Sequence, residues 1–465
     1  MVFENKKVCV VGAGVSGLVS ARELRREGHD VTVMEQSGGV GGQWLYDPKI
    51  NAGDPLGLAG VHSGIYASLR LIIPREVMSF SDFPFYPRDG GDGRRYPGHG
   101  EFLRYIREFC DVFGVMDAVR LNTTVLRVAA MAASNGNSRW TVRSCTRQRG
   151  EDDVVTTTEE EEVFDAVVVA VGQYAHPRLP TIKGMENWRR RQLHSHSYRV
   201  PDPFRGEVVV VVGFHASGKD IAVDLSKVAM EVHISVKSLH DVTAAVRKTV
   251  ARHHNLHLQP LIDCLCEDGT VIFADGSQVV ADSVIYCTGY DYSYLFLDTG
   301  GVVTVDDNRV GPLFEHTFPP ALAPELSFVG VPKKVVVPRF YEVQARWVAQ
   351  VLSGRRRLPP VEEMLRSVEE HNRVREAAGV TKHLTHDLYD FEYCDEFGEK
   401  HCGFPRLPEW KKELVLSSIR NVHEDHENFR DNYKDSELVR EGLCSDGWLP
   451  GLDAEGDDCG VFKCD

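Results

Sequence analysis

The order of apolar runs and glycine-rich turns along the chain predicts a nucleotide-binding unit at its start. A short apolar run at 8–11 is followed by a glycine-rich turn at 12–17, an amphipathic stretch at 18–27 and a second apolar run at 30–35. Short apolar runs bounded by turns are typical of buried strands, and the longer stretch between them has helical periodicity. Strand, turn, helix and strand in this order predict a βαβ unit.

The same order recurs in the middle of the chain. An apolar run at 207–212 leads into a second glycine-containing turn at 213–218, a helical pattern at 220–229 and an apolar run at 231–236. Each unit is followed later by another apolar strand that ends in small residues, at 164–172 and at 281–290. Strands this apolar are expected in parallel sheets that are buried on both faces.

The remaining patterns predict the domain organisation. Hairpin strands with polar turns are expected within 133–162, while a strand at 325–330 and a helix at 341–352 are expected to return to the first unit. We therefore expect an α/β protein with two Rossmann-like dinucleotide-binding domains of the three-layer ββα/βα type. The expected parts are a first domain at 1–200, an inserted second domain at 201–310, a return with a helical region at 311–443, and a disordered acidic tail at 444–465.

Composition and charge narrow the range of partners. The 465 residues carry a formal net charge of -15, which disfavours nucleic acid and anionic membrane surfaces and favours a small-molecule substrate. The first residues leave no room for an export signal, and no uncharged apolar run reaches the roughly 18 residues of a membrane span. A cytoplasmic protein is expected. Eleven cysteines without a CxxC pair, including the close pairs 264/266 and 459/464, indicate reduced thiols and no metal site.

The first turn has the residues that a dinucleotide needs. Gly12 permits the tight bend, Gly14 lets backbone N–H groups approach a pyrophosphate, and Gly17 lets the helix pack against the strand. Glu35 ends the second strand, about twenty residues further on, where an acid bonds ribose hydroxyls and disfavours a 2′-phosphate. The turn therefore predicts FAD or NAD rather than NADP.

A second glycine cluster at 38–42 precedes Gln43 and Trp44, so the segment just after the ribose-binding strand carries few side chains. A flavin can lie against such a segment; the alternative is a flexible surface loop. The residues predicted to bind FAD in this part of the chain are Gly12, Ala13, Gly14, Val15, Ser16, Gly17, Glu35, Gln36, Gly42, Gln43 and Trp44.

The second turn departs from the glycine pattern, because His215 replaces the middle glycine and should hold a pyrophosphate further off or demand another loop path. Lys237 and Ser238 end the following strand, and a cation with a hydroxyl suits a 2′-phosphate, which predicts NADPH rather than NADH. Alternatively, Lys237 is only a solvated residue at a strand end. The predicted NADPH-binding residues are Gly213, Phe214, His215, Ala216, Ser217, Gly218, Lys237 and Ser238.

With both units placed, nearly the whole chain resembles the flavin-containing monooxygenases, most closely the plant S-oxygenases that act on thioether side chains. The resemblance is carried by both turns and by the segments 41–44, 66–70, 74–84, 96–99, 188–198, 288–290 and 342–347. It implies that FAD and NADPH are the cofactors and that Val125 and Gln344 join the FAD site.

The resemblance also implies a mechanism. NADPH reduces FAD by hydride transfer, O₂ adds to give a flavin C4a hydroperoxide, and the sulfur of the substrate attacks its distal oxygen. A soft nucleophile needs no activation, so no catalytic base is expected. A methylthioalkyl compound, a cysteine conjugate and an amine all fit this chemistry, and the sequence specifies no oligomeric state.

The linker fingerprint of the family is matched in part. Trp188, His194 and Tyr198 fit it, whereas Arg190 stands where glycine is usual. The related Baeyer–Villiger enzymes close their fingerprint with Trp, so Tyr198 favours heteroatom oxygenation. His194 can alternatively be a residue that only braces the linker between the domains.

A further departure concerns the position beside the flavin ring. The family typically has Thr-Asn where this chain has Leu71 and Ile72, so Ile72 is the flavin-proximal candidate and lacks the amide. Loss of that hydrogen bond puts the coupling of NADPH use to oxygenation in question. Three alternatives therefore stay open: an uncoupled NADPH oxidase that releases hydrogen peroxide, an N-oxygenase, and a non-enzymatic nucleotide-binding regulator. A disulfide reductase is disfavoured because the close cysteine pair is missing.

Overall fold

A five-stranded parallel sheet organises the first part of the protein. The computed structural model describes residues 5–49, 53–57, 63–131, 139–149 and 155–448; most of the predicted tail and the cysteine pair 459/464 lie outside them. The strands are, in spatial order, Leu326–Phe328, Ala166–Val169, Lys7–Val11, Asp30–Met34 and Val119–Arg120. The strand expected to return to the first unit thus pairs with the strand at 166–169.

Both faces of this sheet are buried, which explains its continuous apolar runs. Val8 and Val10 pack among the helices, while Cys9 and Val11 pack on the opposite face. That opposite face is covered by a four-stranded sheet of Leu297–Asp298, Thr123–Ala130, Trp140–Arg149 and Val155–Phe164. Successive side chains of a strand point to opposite faces, so each run contributes to two cores. Helices, parallel sheet and backing sheet form the three layers.

The second unit repeats this plan. Its parallel sheet consists of Leu256–Gln259, Glu231–Ser235, Val208–Val212, Ser283–Tyr286 and Arg191–His194, in spatial order. A three-stranded antiparallel sheet, formed by Ile262–Leu265, Thr270–Phe273 and Gln278–Val280, backs it. Short two-stranded pairs join His176–Pro177 to Tyr290–Asp291 and Thr304–Asp306 to Arg309–Gly311. The predicted α/β class with two Rossmann-like units is confirmed.

Nine α-helices lie in the described residues: α1 (Val15–Arg26), α2 (His99–Val112), α3 (Ala216–Leu225), α4 (Ala244–Arg252), α5 (Arg339–Leu352), α6 (Val361–Ala377), α7 (Phe391–Cys402), α8 (Glu409–Glu424) and α9 (Glu437–Ser445). Helices α1 and α3 begin about one turn earlier than predicted, and α3 ends at Leu225 rather than at 229. The reason is that the last residues of each glycine turn form the first turn of the helix. Helix α5 packs on α1, with a buried ion pair of 2.6 Å between Arg22 and Glu342.

The chain stays folded beyond residue 444, where the disordered tail is predicted to begin. Helix α9 ends at Ser445, and Leu443 and Trp448 belong to a hydrophobic cluster with α8. Trp448 also lies against Tyr86, with ring centroids 4.5 Å apart. Burial of these apolar side chains keeps the segment folded to residue 448. Among the described helices, none has both the length and the apolar composition that crossing a bilayer requires.

A cluster of histidines, of which His316 and His386 are buried and His371 is half-buried, lies apart from the glycine turns. His316 and His386 approach through their Nδ1 atoms at 2.9 Å, and the ring of His371 lies 4.9 Å from that of His316. The N–H of Val310 donates to Nε2 of His386, so Nδ1 carries the proton of the neutral His386 ring and donates to His316. Burial first, and then neighbouring cationic groups, lowers the pKa of His386 to about 3; the pKa of His316 is also lowered well below its usual value.

The lowered pKa values of His316 and His386 predict that the folded protein loses stability in acid. In the folded protein their pKa values are lowered, so the unfolded chain binds more protons below pH 6.5 and folding stability falls as pH falls from about 6.5 towards 3. The loss should be about 1 kcal/mol per histidine for each pH unit. Urea unfolding between pH 8 and 5 would measure it. A shallower slope is expected for His386→Gln, whereas His240→Gln, at an almost fully exposed position, should keep the wild-type slope.

Candidate functional site

Two glycines of the first turn are required by the polypeptide itself. Gly12 has a φ of +101°, and a Cβ there would lie 2.7 Å from the carbonyl oxygen of Ala170. A Cβ on Gly17 would lie 1.9 Å from the carbonyl oxygen of Gly12. These close approaches fix the bend between the strand and α1, as the glycine pattern predicts.

Gly14 is different, because nothing in the polypeptide requires a glycine there. Its backbone is extended with a φ of -79°, and a Cβ would meet only the Cα of Gly42, at 3.6 Å. Gly14 caps α1, whose first N–H groups have no partner inside the helix and attract an anion. The surface free of side chains at this helix end therefore fits a ligand phosphate, which is what a bound dinucleotide would place there.

Glu35 has acceptor capacity left for a ligand. Its buried carboxylate accepts hydrogen bonds from the N–H groups of Ala13 at 2.7 Å and Ser37 at 2.8 Å. An ionised carboxylate offers about four acceptor sites, so about two remain for ribose hydroxyls. Gln36 follows it with an exposed side chain.

The second glycine cluster packs directly on the first turn. The N–H of Gly41 donates to the carbonyl of Ala13 at 2.9 Å, and a Cβ on Gly42 would lie 2.8 Å from the Cα of Gly14. Trp44 is buried edge-on against Phe102 at 4.7 Å. Ser63 donates to the carbonyl of Gln43 at 2.8 Å. The loop is held against the turn rather than lying free on the surface.

The other two residues predicted to join the FAD site are Val125 and Gln344. They belong to different elements, Val125 to the strand Thr123–Ala130 and Gln344 to α5. Val125 is half-buried on the strand Thr123–Ala130, where the N–H of Thr123 donates to the carbonyl of Glu35 at 2.8 Å. Gln344 is fully buried, and both ends of its amide are bonded within the protein, to the N–H of Gly330 and to the hydroxyl of Thr317.

Gly330 lies beside α1, because a Cβ on Gly330 would be 3.0 Å from the Cβ of Ser16. The hydroxyl of Ser16 in turn donates to Ala170 at 3.3 Å, and Val15 is buried beside it. Gln344 therefore acts on this region by fixing the backbone at Gly330.

The second turn reproduces the geometry of the first. Gly213 has a φ of +94°, and a Cβ on Gly218 would lie 2.1 Å from the carbonyl oxygen of Gly213. His215 caps α3 in an extended conformation that any residue can adopt, so the histidine fits this loop path. Ala216 and Ser217 begin the helix and present its unpaired N–H groups, and Phe214 is half-buried before them.

Positive charge gathers around this turn. Partial desolvation of the His215 ring at this exposed position, and then the charges of Lys219, Lys334 and Lys237, lowers the pKa of His215. Lys237 is exposed, and no carboxylate among the described residues forms a salt bridge with it. Ser238 accepts a 3.3 Å hydrogen bond from the N–H of Asp241. The arrangement suits a ligand with several phosphate charges.

The prediction that Lys237 contacts a 2′-phosphate can be tested with the two nicotinamide cofactors. The Lys237→Ala variant is expected to raise the KM for NADPH about tenfold, because a charge-assisted bond to the 2′-phosphate is lost. The KM for NADH should stay unchanged and serves as the internal control. Initial rates with both cofactors measure the effect, and an equal change for both would show that Lys237 does not contact the 2′-phosphate.

Trp188 and Arg190, two positions of the linker fingerprint, make their described contacts within the second unit. Trp188 is buried in the core of the second unit. Arg190, which replaces the usual glycine, donates to the carbonyls of Ala281 and Asp268 at 2.9 Å, and its guanidinium lies where a side chain on Gly269 would be.

His194 is fully buried, and its Nδ1 accepts from the N–H of His196 at 3.1 Å. Burial first, and then the nearby His196, lowers the pKa of His194 to about 3. A buried, neutral ring bonded to the backbone supports the interpretation that His194 braces the linker.

Ile72 presents an apolar side chain on a fixed backbone. The residue is 51% exposed. At its neighbour Leu71, the N–H donates to Pro97 at 2.9 Å and the carbonyl accepts from Arg430 at 3.0 Å. Arg430 and the helix acids Asp220 and Asp224 were not predicted as site residues, although two acids one turn apart directly after a nucleotide turn were a usable signal.

The chain is similar to known proteins over nearly its whole length. A model of the "FMO-like: Flavin-binding monooxygenase-like" family matches residues 5–253 and 253–410. Flavin-containing monooxygenase FMO GS-OX-like 9 of Arabidopsis thaliana is 52% identical over 449 residues, covering 95% of this chain and 96% of that protein. FMO GS-OX4 of the same plant is 44% identical, covering 94% of each.

Solved structures show the same relationship. The structure of S-allyl-L-cysteine S-oxygenase from Allium sativum has a TM-score of 0.87 at 42% identity, covering 97% of this chain and 100% of that chain. Tmm from Pelagibacter sp. strain HTCC7211 shares the fold, with a TM-score of 0.75 at 22% identity over 93% of this chain and 94% of that chain.

Proposed function

The chain belongs to the flavin-binding monooxygenase-like family, and on that premise we propose that it uses FAD and NADPH to place one oxygen atom on the thioether sulfur of a small molecule. The balanced reaction is thioether + O₂ + NADPH + H⁺ → sulfoxide + NADP⁺ + H₂O. NADPH and the sulfur each supply two of the four electrons that O₂ accepts. The chain's similarity to a plant S-oxygenase over 97% of its length supports sulfur as the target.

The observation that carries the proposal is the surface at Gly14, which the polypeptide leaves free of a side chain without needing to. There the end of α1 would hold the pyrophosphate of FAD, and Glu35 would hold the ribose. Bound FAD supplies the electron transfer and oxygen chemistry. The protein binds the cofactor, orients it and keeps water from the reaction.

The second turn supports NADPH as the electron donor. The end of α3 would hold the pyrophosphate, and Lys237 with Ser238 would hold the 2′-phosphate. The neighbouring Lys219 and Lys334 add positive charge to the same surface. These groups orient NADPH and contribute no proton transfer to the sulfur, which is nucleophilic enough without a base.

The direct test compares the NADPH and O₂ that are consumed with the sulfoxide, N-oxide and hydrogen peroxide that are formed. The purified protein would be saturated with FAD and given NADPH and O₂ with S-allyl-L-cysteine, with a methylthioalkyl compound, or with a tertiary amine. Bound flavin, sulfoxide, N-oxide and hydrogen peroxide would be quantified. One sulfoxide per NADPH with little peroxide is expected. N-oxide in place of sulfoxide would establish an N-oxygenase, and a protein that never holds flavin would indicate a nucleotide-binding regulator.

The second candidate function is an NADPH oxidase that releases hydrogen peroxide. It is favoured by one observation, the apolar side chain of Ile72 at the position where the family has the flavin-proximal amide. Stoichiometric peroxide with every substrate would support this function over sulfur oxygenation.

A further inference from the structure

Two acids on α3 face the rest of the protein. Asp220 and Asp224 lie one helical turn apart, so their side chains share one face of the helix that begins at the second glycine turn. The Asp224 side chain is only 8% exposed and that of Asp220 is 24% exposed. We refer to Asp220 and Asp224 as the carboxylate pair.

The carboxylate pair accepts hydrogen bonds from outside its own domain. Tyr66 donates its hydroxyl to Asp220 at 3.0 Å, and Ser68 donates to Asp224 at 3.0 Å; both donors come from the first part of the chain. Tyr198, in the linker, donates to the same oxygen of Asp224 at 2.9 Å. Burial first, and then the adjacent carboxylates, raises the pKa of Tyr66 and Tyr198, so both hydroxyls keep the donated proton.

Arg430 adds a third connection. Its guanidinium donates two hydrogen bonds to Asp220, at 2.9 and 3.3 Å, and a third to the carbonyl of Leu71 at 3.0 Å. Five residues earlier, Asp425 accepts two bonds from Arg252 of α4, at 2.6 and 2.7 Å. The C-terminal segment thus forms ion pairs with α3 and α4 of the second domain and also donates a hydrogen bond to the backbone beside Ile72.

Hydrogen bonds to a largely buried carboxylate are strong, and leaving such a carboxylate unpaired is costly. Helix α3 therefore has one preferred position relative to the first domain. We propose that Asp220 and Asp224 are positioning residues that hold the NADPH end of α3 in register with the flavin site, so that the nicotinamide reaches the flavin. This inference rests on the proposed use of FAD and NADPH. A displacement of about 1 Å in such a register can cost about 100-fold in rate.

The test removes donors from the first domain and the linker while leaving the carboxylate pair intact. Holoenzyme carrying Tyr198→Phe and Ser68→Ala would be compared with Lys227→Met. Lys227 contacts Asp224 at 3.2 Å from its own side of the junction and is largely exposed, so it serves as the matched control. Asp220→Asn, which keeps the shape but weakens the pair with Arg430, is the second variant if the double variant does not fold.

Three quantities would be measured: the single-turnover rate of flavin reduction by NADPH, the Kd of NADP⁺, and deuterium uptake by peptides covering α3. The double variant should reduce its flavin 10- to 100-fold more slowly, with a Kd within threefold of wild type and faster uptake in α3. The control should match the wild type in all three. An unchanged reduction rate despite faster uptake, or an equal loss in the control, would overturn the positioning role.

The two proposals can fail separately. If NADPH does not reduce the flavin of the wild-type holoenzyme, the proposed function fails. Deuterium uptake with and without NADP⁺ still decides whether the carboxylate pair joins the domains, because that measurement needs no turnover. Unchanged uptake in the double variant would overturn the inference even when the proposed function stands.

Discussion

Replacing Gly14 with alanine is expected to give a folded protein that has lost most of its flavin. The backbone at Gly14 suits any residue, and the added Cβ would meet only the Cα of Gly42 at 3.6 Å, an ordinary contact. At the proposed FAD site, the same Cβ would stand where the pyrophosphate would approach the first turn of α1 and would lengthen its bonds to the helix N–H groups. Each such charge-assisted bond contributes roughly 1.5–3 kcal/mol, so FAD affinity should fall about 10- to 100-fold or more.

Flavin content, read as visible absorbance relative to protein absorbance, measures this effect, and the unfolding temperature of the apoprotein shows that the fold is kept. Gly17→Ala is the contrasting variant, since its Cβ would lie 1.9 Å from the carbonyl oxygen of Gly12 and should destabilise the apoprotein itself. A Gly14→Ala protein that retains flavin as tightly as wild type would rule out a pyrophosphate at this turn.

If the wild type releases hydrogen peroxide, as the second candidate function proposes, asparagine at position 72 is expected to shift oxygen use towards sulfoxide. The backbone around Ile72 is anchored by Pro97 and Arg430, so a new amide would be presented from a fixed point rather than from a mobile loop. A preorganised hydrogen bond of this kind contributes about 10²- to 10³-fold in rate elsewhere. For such an uncoupled wild type we expect the ratio of sulfoxide to peroxide to rise at least about tenfold in Ile72→Asn.

Ile72→Leu, which changes shape slightly and adds no amide, is the matched control and should keep the wild-type ratio. If the wild type already forms one sulfoxide per NADPH, the asparagine can add nothing, and Ile72 is then a tolerated departure. A lower ratio in Ile72→Asn would show that the site depends on an apolar residue here.

The fold was predictable where the signal is local. Short valine-rich runs next to glycine turns have few alternatives to buried parallel strands, which is why both units were placed from sequence. The starts of α1 and α3 were missed by about a turn, because Val15–Gly17 and Ala216–Gly218 belong to the glycine turns and carry no apolar periodicity that would mark a helix.

The contacts that join distant segments could not be predicted from one sequence. Arg430 reaches Leu71 across 359 residues, and no local pattern marks either partner. Arg190 is tolerated in place of glycine because Gly269, far along the chain, makes room for it. Glu35, by contrast, was identified correctly as a strand-end acid because its distance from the first turn is itself the signal; its role towards FAD stays a prediction.

The pairing of the strand Leu326–Phe328 with Ala166–Val169 has a consequence for how this architecture changes over time. The chain leaves the first sheet and re-enters it at adjacent strands, so the intervening residues interrupt no other strand pair of that sheet. A change in the length of this segment can therefore leave the register of the parent sheet unaltered, but the strand Leu297–Asp298 and the carboxylate pair still tie the segment to the first part of the chain. A segment transplanted from another protein would therefore have to bring matching partners for Tyr66, Ser68 and Arg430 as well as matching ends.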